Sequence, residues 1–150
     1  MSRPRIVRQA EIAVFTHATE DRSKVLKAVR NLFPKNIEFP NYTEFILDGY
    51  FGDPIITLHF IVKNRRTSSE LFDNLVNGLS SLDYLMLLDD LPQRIGKKKK
   101  LYLRLDKQKA YLGYYVLEQH DPIRVKISLL LPHKTDPAGV LKEYMEKMRG

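Results

Sequence analysis

Four consecutive lysines, Lys97, Lys98, Lys99 and Lys100, run directly into Leu-Tyr-Leu-Arg-Leu, with Lys107 and Lys109 close behind. From position 94 to position 109, eight cations including Arg94 face a single acid, Asp106. The whole chain of 150 residues carries a formal charge of +7, so its excess is concentrated in this stretch and the remainder is balanced. An oriented field of this kind attracts a polyanion more than it serves general solubility. Tyr102 lies between Lys100 and Arg104 at two-residue spacing. A flat ring beside a guanidinium can stack on a nucleobase while neighbouring ammonium groups meet phosphates. Arg124 and Lys126 repeat the spacing further on, and pairing of the two segments would merge them into one patch. The opposing reading is a lysine collar that keeps an edge strand soluble, with Arg104 paired to Asp106 or to a carboxylate on a neighbouring strand. The candidate binding residues are therefore Lys97, Lys98, Lys99, Lys100, Tyr102, Arg104, Lys107, Lys109, Arg124 and Lys126.

Catalytic chemistry finds less support. Two-metal phosphoryl chemistry needs clustered carboxylates, often with histidine, and the sequence has no D-x-D, H-x-H or H-x-x-x-H. Asp89 and Asp90 are adjacent and point about 100° apart on a helix. His17, His59, His120 and His133 are scattered, with His17 at a strand end and His59 on an outer sheet face. Ser68-Ser69 and Ser80-Ser81 stand where helix caps belong, not on a nucleophile elbow. Gly49 and Gly52 serve a turn, since a strand and not a phosphate-binding helix follows. The sequence thus points away from an enzyme, and to no metal or other cofactor.

The bulk composition bounds the rest. At 150 residues and 43% apolar content the chain can bury one ordinary core, which predicts a single domain over 1–150. No apolar run reaches the length of a membrane span, and the basic start lacks the apolar stretch of a signal peptide. With no cysteine, a reducing compartment is the natural setting, and the cytoplasm is expected.

The elements that must position the cations follow from periodicity. Residues 1–8 read as a flexible basic arm, with order starting near Gln9. Residues 10–18 read as a mostly buried strand, followed by a helix capped at Thr19 and running to about Phe33, where Val25, Leu26, Val29, Leu32 and Phe33 share a face. Residues 42–64 read as two strands joined around Gly49 to Pro54, the second with Ile56, Leu58, Phe60 and Val62 on one side. Thr67 and Glu70 match a capping box opening the next helix. Gly78 and Ser80-Ser81 predict a bend and a new cap, with a short helix ending before Pro92. From Lys97 to Asp106 strict alternation turns Leu101, Leu103 and Leu105 inward. Residues 107–113 read as a short helical turn closed by Gly113. The segment 123–131 alternates again, with Ile123, Val125, Ile127 and Leu129 inside, and a helix follows Asp136. Tyr111, Tyr114 and Tyr115 read as core or hinge residues. Outer faces this polar exclude a doubly wound sheet and predict an α+β two-layer sandwich, a largely antiparallel sheet with helices on one face.

Four segments in order, "ATEDRSKVLKAVRNLFP", "DGYFGDPI", "LYLRLDKQKAYLG" and "DPIRVKISLLLP", resemble the archaeal family of predicted exosome-associated RNA-binding proteins. The resemblance covers about residues 10–132. It implies an α+β fold likened to double-stranded-RNA-binding and ribosomal-protein types, RNA as the partner, and work in RNA processing beside the exosome or ribosome-related proteins. It implies no catalytic residue. The lysine run is longer than in the family pattern. A protein-interaction adaptor, docking a larger assembly or forming a homodimer without direct RNA contact, is the alternative.

Overall fold

The structure, a computed structural model, describes residues 5–48, 52–96 and 98–149. Ten elements follow in the order β1 (Val7–His17), α1 (Arg22–Arg30), β2 (Tyr42–Asp48), β3 (Pro54–Val62), α2 (Arg65–Gly78), α3 (Ser81–Arg94), β4 (Lys100–Leu105), α4 (Lys107–Tyr111), β5 (Ile123–Leu129) and α5 (Pro137–Arg149). The five strands form one sheet in the order β2-β3-β1-β5-β4, and each neighbouring pair is antiparallel. The fold is the expected α+β two-layer sandwich, with the helices packed on one face of the sheet. That face holds the core: Ile12 and Val14 of β1, Leu58 and Phe60 of β3, Leu101, Leu103 and Leu105 of β4, and Ile123, Val125 and Ile127 of β5 are all buried, in one cluster with Leu71, Phe72 and Leu75 of α2 and Leu87 and Leu91 of α3. Burying side chains of this size is worth about 1.5–3 kcal/mol each before chain entropy is counted. The alternation read in both basic segments therefore has a strong cause.

Element boundaries differ from the expected ones where a better cap or an additional buried residue is at hand. β1 starts at Val7, two residues before Gln9, because Ile6 and Val7 are buried in the core. The expected arm is to that extent shorter, and its residues 1–4 lie outside the described residues. Asp21, not Thr19, caps α1 and accepts from the Ser23 N–H. Asn64 caps α2 by accepting from the Thr67 N–H, so the helix begins before the expected Thr67–Glu70 box. Ser80 caps α3 as expected, but the helix carries Pro92 within it and ends at Arg94. Pro92 sits in the last turn, after most of the helix's hydrogen bonds are made. Part of the β2–β3 turn, residues 49–51, lies outside the described residues.

Gly78, the last residue of α2, leaves room for a ring packed against it. A Cβ on Gly78 would stand 2.3 Å from Cδ2 and 2.5 Å from Cε2 of Tyr115. The Tyr115 ring cannot move aside easily, since its hydroxyl donates to the Asn31 carbonyl at 2.5 Å and accepts from Asn74 Nδ2 at 2.8 Å. Burial raises the Tyr115 hydroxyl above the usual tyrosine range, an effect the Asn74 bond only partly offsets. Tyr115 is thus the packing residue expected, whereas Tyr114 is exposed. Gly78→Ala should lower stability by about 1–2 kcal/mol in urea titrations, because overpacking of about 1–3 kcal/mol exceeds the helix-propensity gain of at most about 1 kcal/mol.

Candidate nucleic-acid interface

The face of the sheet away from the helices is organised by strand register. Tyr102 of β4 pairs with Lys126 of β5, and Arg104 pairs with Arg124. Lys126 in turn lies opposite Glu11, and Arg124 opposite Ala13, on β1. Ile61 and His59 of β3 complete the two rows across Glu11 and Ala13. One row therefore reads Ile61, Glu11, Lys126, Tyr102 and the next His59, Ala13, Arg124, Arg104. Lys100, opposite Ser128, adds a cation one row beyond. The expected merger of the two basic strands into one patch is thus met.

Two arginines directly opposite one another are unfavourable, and the structure handles them by aiming them apart. Arg104 Nη1 donates to Gln119 Oε1 at 2.7 Å, a neutral partner in place of the carboxylate considered above. The Arg124 guanidinium lies over the Phe15 ring, 4.7 Å from its centroid, an attraction of about 0.5–1 kcal/mol at an exposed site. Both side chains stay exposed. Tyr102 is 48% exposed, and Gly96 lies beneath the ring edge, where a Cβ would come within 3.4 Å of Cε2. A hollow of about 380 Å³ opens on one side of Tyr102 and Arg104, with Ala13 and Glu11 in its lining. A second, of about 430 Å³, opens on their other side toward Gln93 and Arg94 of α3.

Not every expected cation belongs to this face. Strand pairing begins at Lys100 rather than Lys97, because the Ile95–Leu101 bridge turns the chain back on itself. In that turn the Gly96 N–H donates to the Lys100 carbonyl at 3.0 Å and the Lys99 N–H to the Gly96 carbonyl at 3.1 Å, with Lys99 in the left-handed region at φ 59°. Lys98 is exposed in the turn, so Lys98 and Lys99 border the face instead of lying on it. Lys97 lies outside the described residues. Lys109 is exposed on α4, a helix that packs against α1 in the other layer, and is separate from the patch. Lys126 is partly neutralised, its Nζ 3.1 Å from Glu11 Oε2.

Lys107 has a different role altogether. Its side chain is only 9% exposed. Nζ donates to the Phe15 carbonyl at 2.8 Å and to Glu20 at 3.0 and 3.1 Å, and lies 3.0 Å from Asp121 Oδ2. His17, Glu20 and Asp121 bring ligand atoms within 4.8 Å of one another, a spacing that could hold a metal ion. The ammonium group already takes the cation's place there. Lys107 thus ties the start of α4 to the end of β1 and to the loop before β5.

Sequence reasoning missed Glu11, Ala13, Phe15 and Gln119 as parts of the face. β1 is the central strand, and its mixed apolar and polar residues give no clean alternation. Glu11 also accepts from Gln9 Nε2 at 3.2 Å and lies 3.4 Å from His59 Nε2. Burial by itself would raise its carboxyl, but the hydrogen bonds and charges of Lys126 and His59 prevail and hold it below the usual carboxylate range. Asp121 shows the same balance, with burial outweighed by Lys107 and His17.

A carboxyl whose folded pKa is depressed contributes stability that is present above its unfolded pKa and lost as pH falls through the folded value. For Glu11 and Asp121 the loss starts near the ordinary carboxylate values of about 4 and continues below them. Thermal melts should therefore be flat from neutral pH to about pH 5 and fall below about pH 4. Lys107→Met should shrink the Asp121 part of that acid dependence. It should also cost about 2–3 kcal/mol at neutral pH, somewhat less than a fully buried broken pair because the two carboxylates remain partly solvated.

The profile of an RNA-binding family matches residues 9–129. The chain is 38% identical over 144 residues to RNA-binding protein PAB1135 of Pyrococcus abyssi, covering 93% of this chain and 92% of that protein. Among solved structures, protein AF2318 of Archaeoglobus fulgidus superposes with a TM-score of 0.76 at 29% identity, covering 95% of this chain and 99% of that one. Mth689 of Methanothermobacter thermautotrophicus gives 0.75 at 28% identity, covering 97% and 99%.

Proposed function

Since the chain belongs to the RNA-binding family whose profile spans residues 9–129, we propose that it is a non-catalytic RNA-binding protein that holds structured RNA against the outer face of its sheet. The observation that carries this reading is the direct opposition of Arg104 and Arg124, with Lys126 in the adjoining row and Lys100 one row beyond it. Like charges set opposite on a sheet cost stability. Phosphates brought to this face by either guanidinium offset that cost. Tyr102 stands in the same patch to pack against a base or sugar. Lysine meets phosphate as a point charge, so shape and charge dominate over sequence in this part of the contact. The resemblance of residues 10–132 to exosome-associated proteins with double-stranded-RNA-binding-like folds supports structured RNA as the form bound. It also supports RNA processing, beside the exosome or ribosome-related proteins, as the setting. No helix among the described residues is long and apolar enough to cross a membrane.

One observation favours the second reading, an adaptor or self-associating module. β2 is an edge strand on which Phe45, Ile46 and Leu47 are 54%, 70% and 50% exposed. Gel filtration and an RNA shift on one sample separate the two, since a stable dimer without salt-sensitive RNA binding would support the adaptor.

Arg104→Glu with Arg124→Glu should weaken binding to a folded RNA more than tenfold, with the thermal midpoint nearly unchanged. The log–log salt slope should become shallower by about 0.7 to 0.9 for each phosphate that the variant no longer neutralises. Lys98→Glu with Lys100→Glu should also weaken binding, but less, because Lys98 borders the face. Unchanged affinity in both variants would remove the sheet face as the binding site.

A further inference from the structure

The hollow beside Tyr102 contains a group that phosphate binding does not need. Glu11 stands on the central strand among Lys126, His59 and the two arginines, and a carboxylate there repels phosphate. It is nonetheless firmly held, by Lys126 at 3.1 Å, His59 at 3.4 Å and Gln9 at 3.2 Å. An ionised carboxylate only accepts hydrogen bonds, so its natural ligand in RNA is a base edge rich in N–H donors. Ala13 beside it, opposite Arg124, is the smallest residue on this face of β1 and leaves the hollow open. Tyr102 and Glu11 line the same hollow of about 380 Å³, two strands apart in one row with Lys126 between them, so a base entering the hollow meets all three.

Guanine is the base whose Watson–Crick edge presents two adjacent donors, the N1–H and the 2-amino group. Adenine and cytosine present an amino group beside an acceptor, and uracil a single N–H flanked by acceptors. That edge is free only when the base is unpaired. We infer that the hollow takes an unpaired guanine from a loop of the RNA, with the base against Tyr102, its two donors on Glu11, and the flanking phosphates on Arg104 and Arg124. This rests on the RNA-binding reading of the face and adds to it a base preference and a requirement for single-stranded sequence.

The test uses hairpins that share one stem, with a loop of uridines only, or with one loop uridine replaced by guanosine or by inosine, which keeps N1–H and lacks the 2-amino group. Fluorescence anisotropy with the full chain should give about tenfold tighter binding to the guanosine loop than to the uridine loop, the size of one good bidentate base contact, with inosine in between. Glu11→Gln should bring guanosine and uridine loops within about twofold of each other. Equal binding of guanosine and uridine loops overturns the inference. So does inosine equal to guanosine, or a preference that survives in Glu11→Gln. The inosine comparison needs no variant and so does not depend on how Glu11→Gln folds. Should both loops bind equally and both be released by the Arg104→Glu, Arg124→Glu protein, the RNA-binding reading stands and the guanine site falls. Salt-independent or absent binding to every hairpin removes both.

Discussion

Helices cover one face of the sheet and leave the other open, and the antiparallel register of β4 on β5 decides what the open face carries. Leu101, Leu103 and Leu105 must meet Ile123, Val125 and Ile127 beneath the helices. Because side chains alternate along a strand, Tyr102 and Arg104 are then forced outward opposite Lys126 and Arg124. A slip of one residue would bury two cations and expose the leucines. Core burial at about 1.5–3 kcal/mol per large side chain far exceeds the repulsion of two exposed arginines, about 1 kcal/mol or less. The packing therefore fixes the electrostatics, and the protein accepts the charge conflict at its surface.

The two arginines are also pre-oriented in a way that Lys98, exposed in its turn, is not. Phe15 beneath Arg124 and Gln119 beside Arg104 each restrict a long side chain that still stays exposed. An ordered guanidinium loses less entropy on meeting a phosphate than a mobile ammonium does. Lys98, in an exposed turn, contributes reach and field instead. The patch thus combines a steering margin with an ordered centre, and Lys107, although part of the same run of charge in sequence, is taken out of it by Glu20 and Asp121.

Much of this arrangement is legible in the sequence. All ten elements can be read in order, since period-two and helical patterns are local and strong where one face is buried. The inward residues of β4 and β5 are legible for the same reason. Three things are not. The fate of Lys107 depends on Glu20, 87 positions away, and a local charge count cannot separate a buried lysine from a solvated one. Alternation alone extends β4 back to Lys97 because lysines fit either a strand or a turn, and the deciding Ile95–Leu101 bridge is tertiary. In the sequence Glu11 is only a polar interruption in a buried strand. Its neighbours Lys126 and His59 lie on strands that reach it through the order β3-β1-β5, which adjacency in the chain does not give.

Charge on the open face is arranged as well as accumulated. A surface of cations alone would hold any polyanion, and its affinity would fall with salt whatever the sequence. Placing a carboxylate at the centre weakens that general attraction, since it neutralises part of Lys126 and lies within the field of both arginines. Such a loss is tolerable in a scaffold only if Glu11 supports the fold, or on a binding face only if it selects among ligands. The fold gives Glu11 no buried cation to satisfy: Lys126 and His59 are both partly open to water, and partly exposed pairs of this kind contribute about 1 kcal/mol or less. The stronger physical reason for an acceptor at that position is selectivity, obtained at the cost of some non-specific affinity.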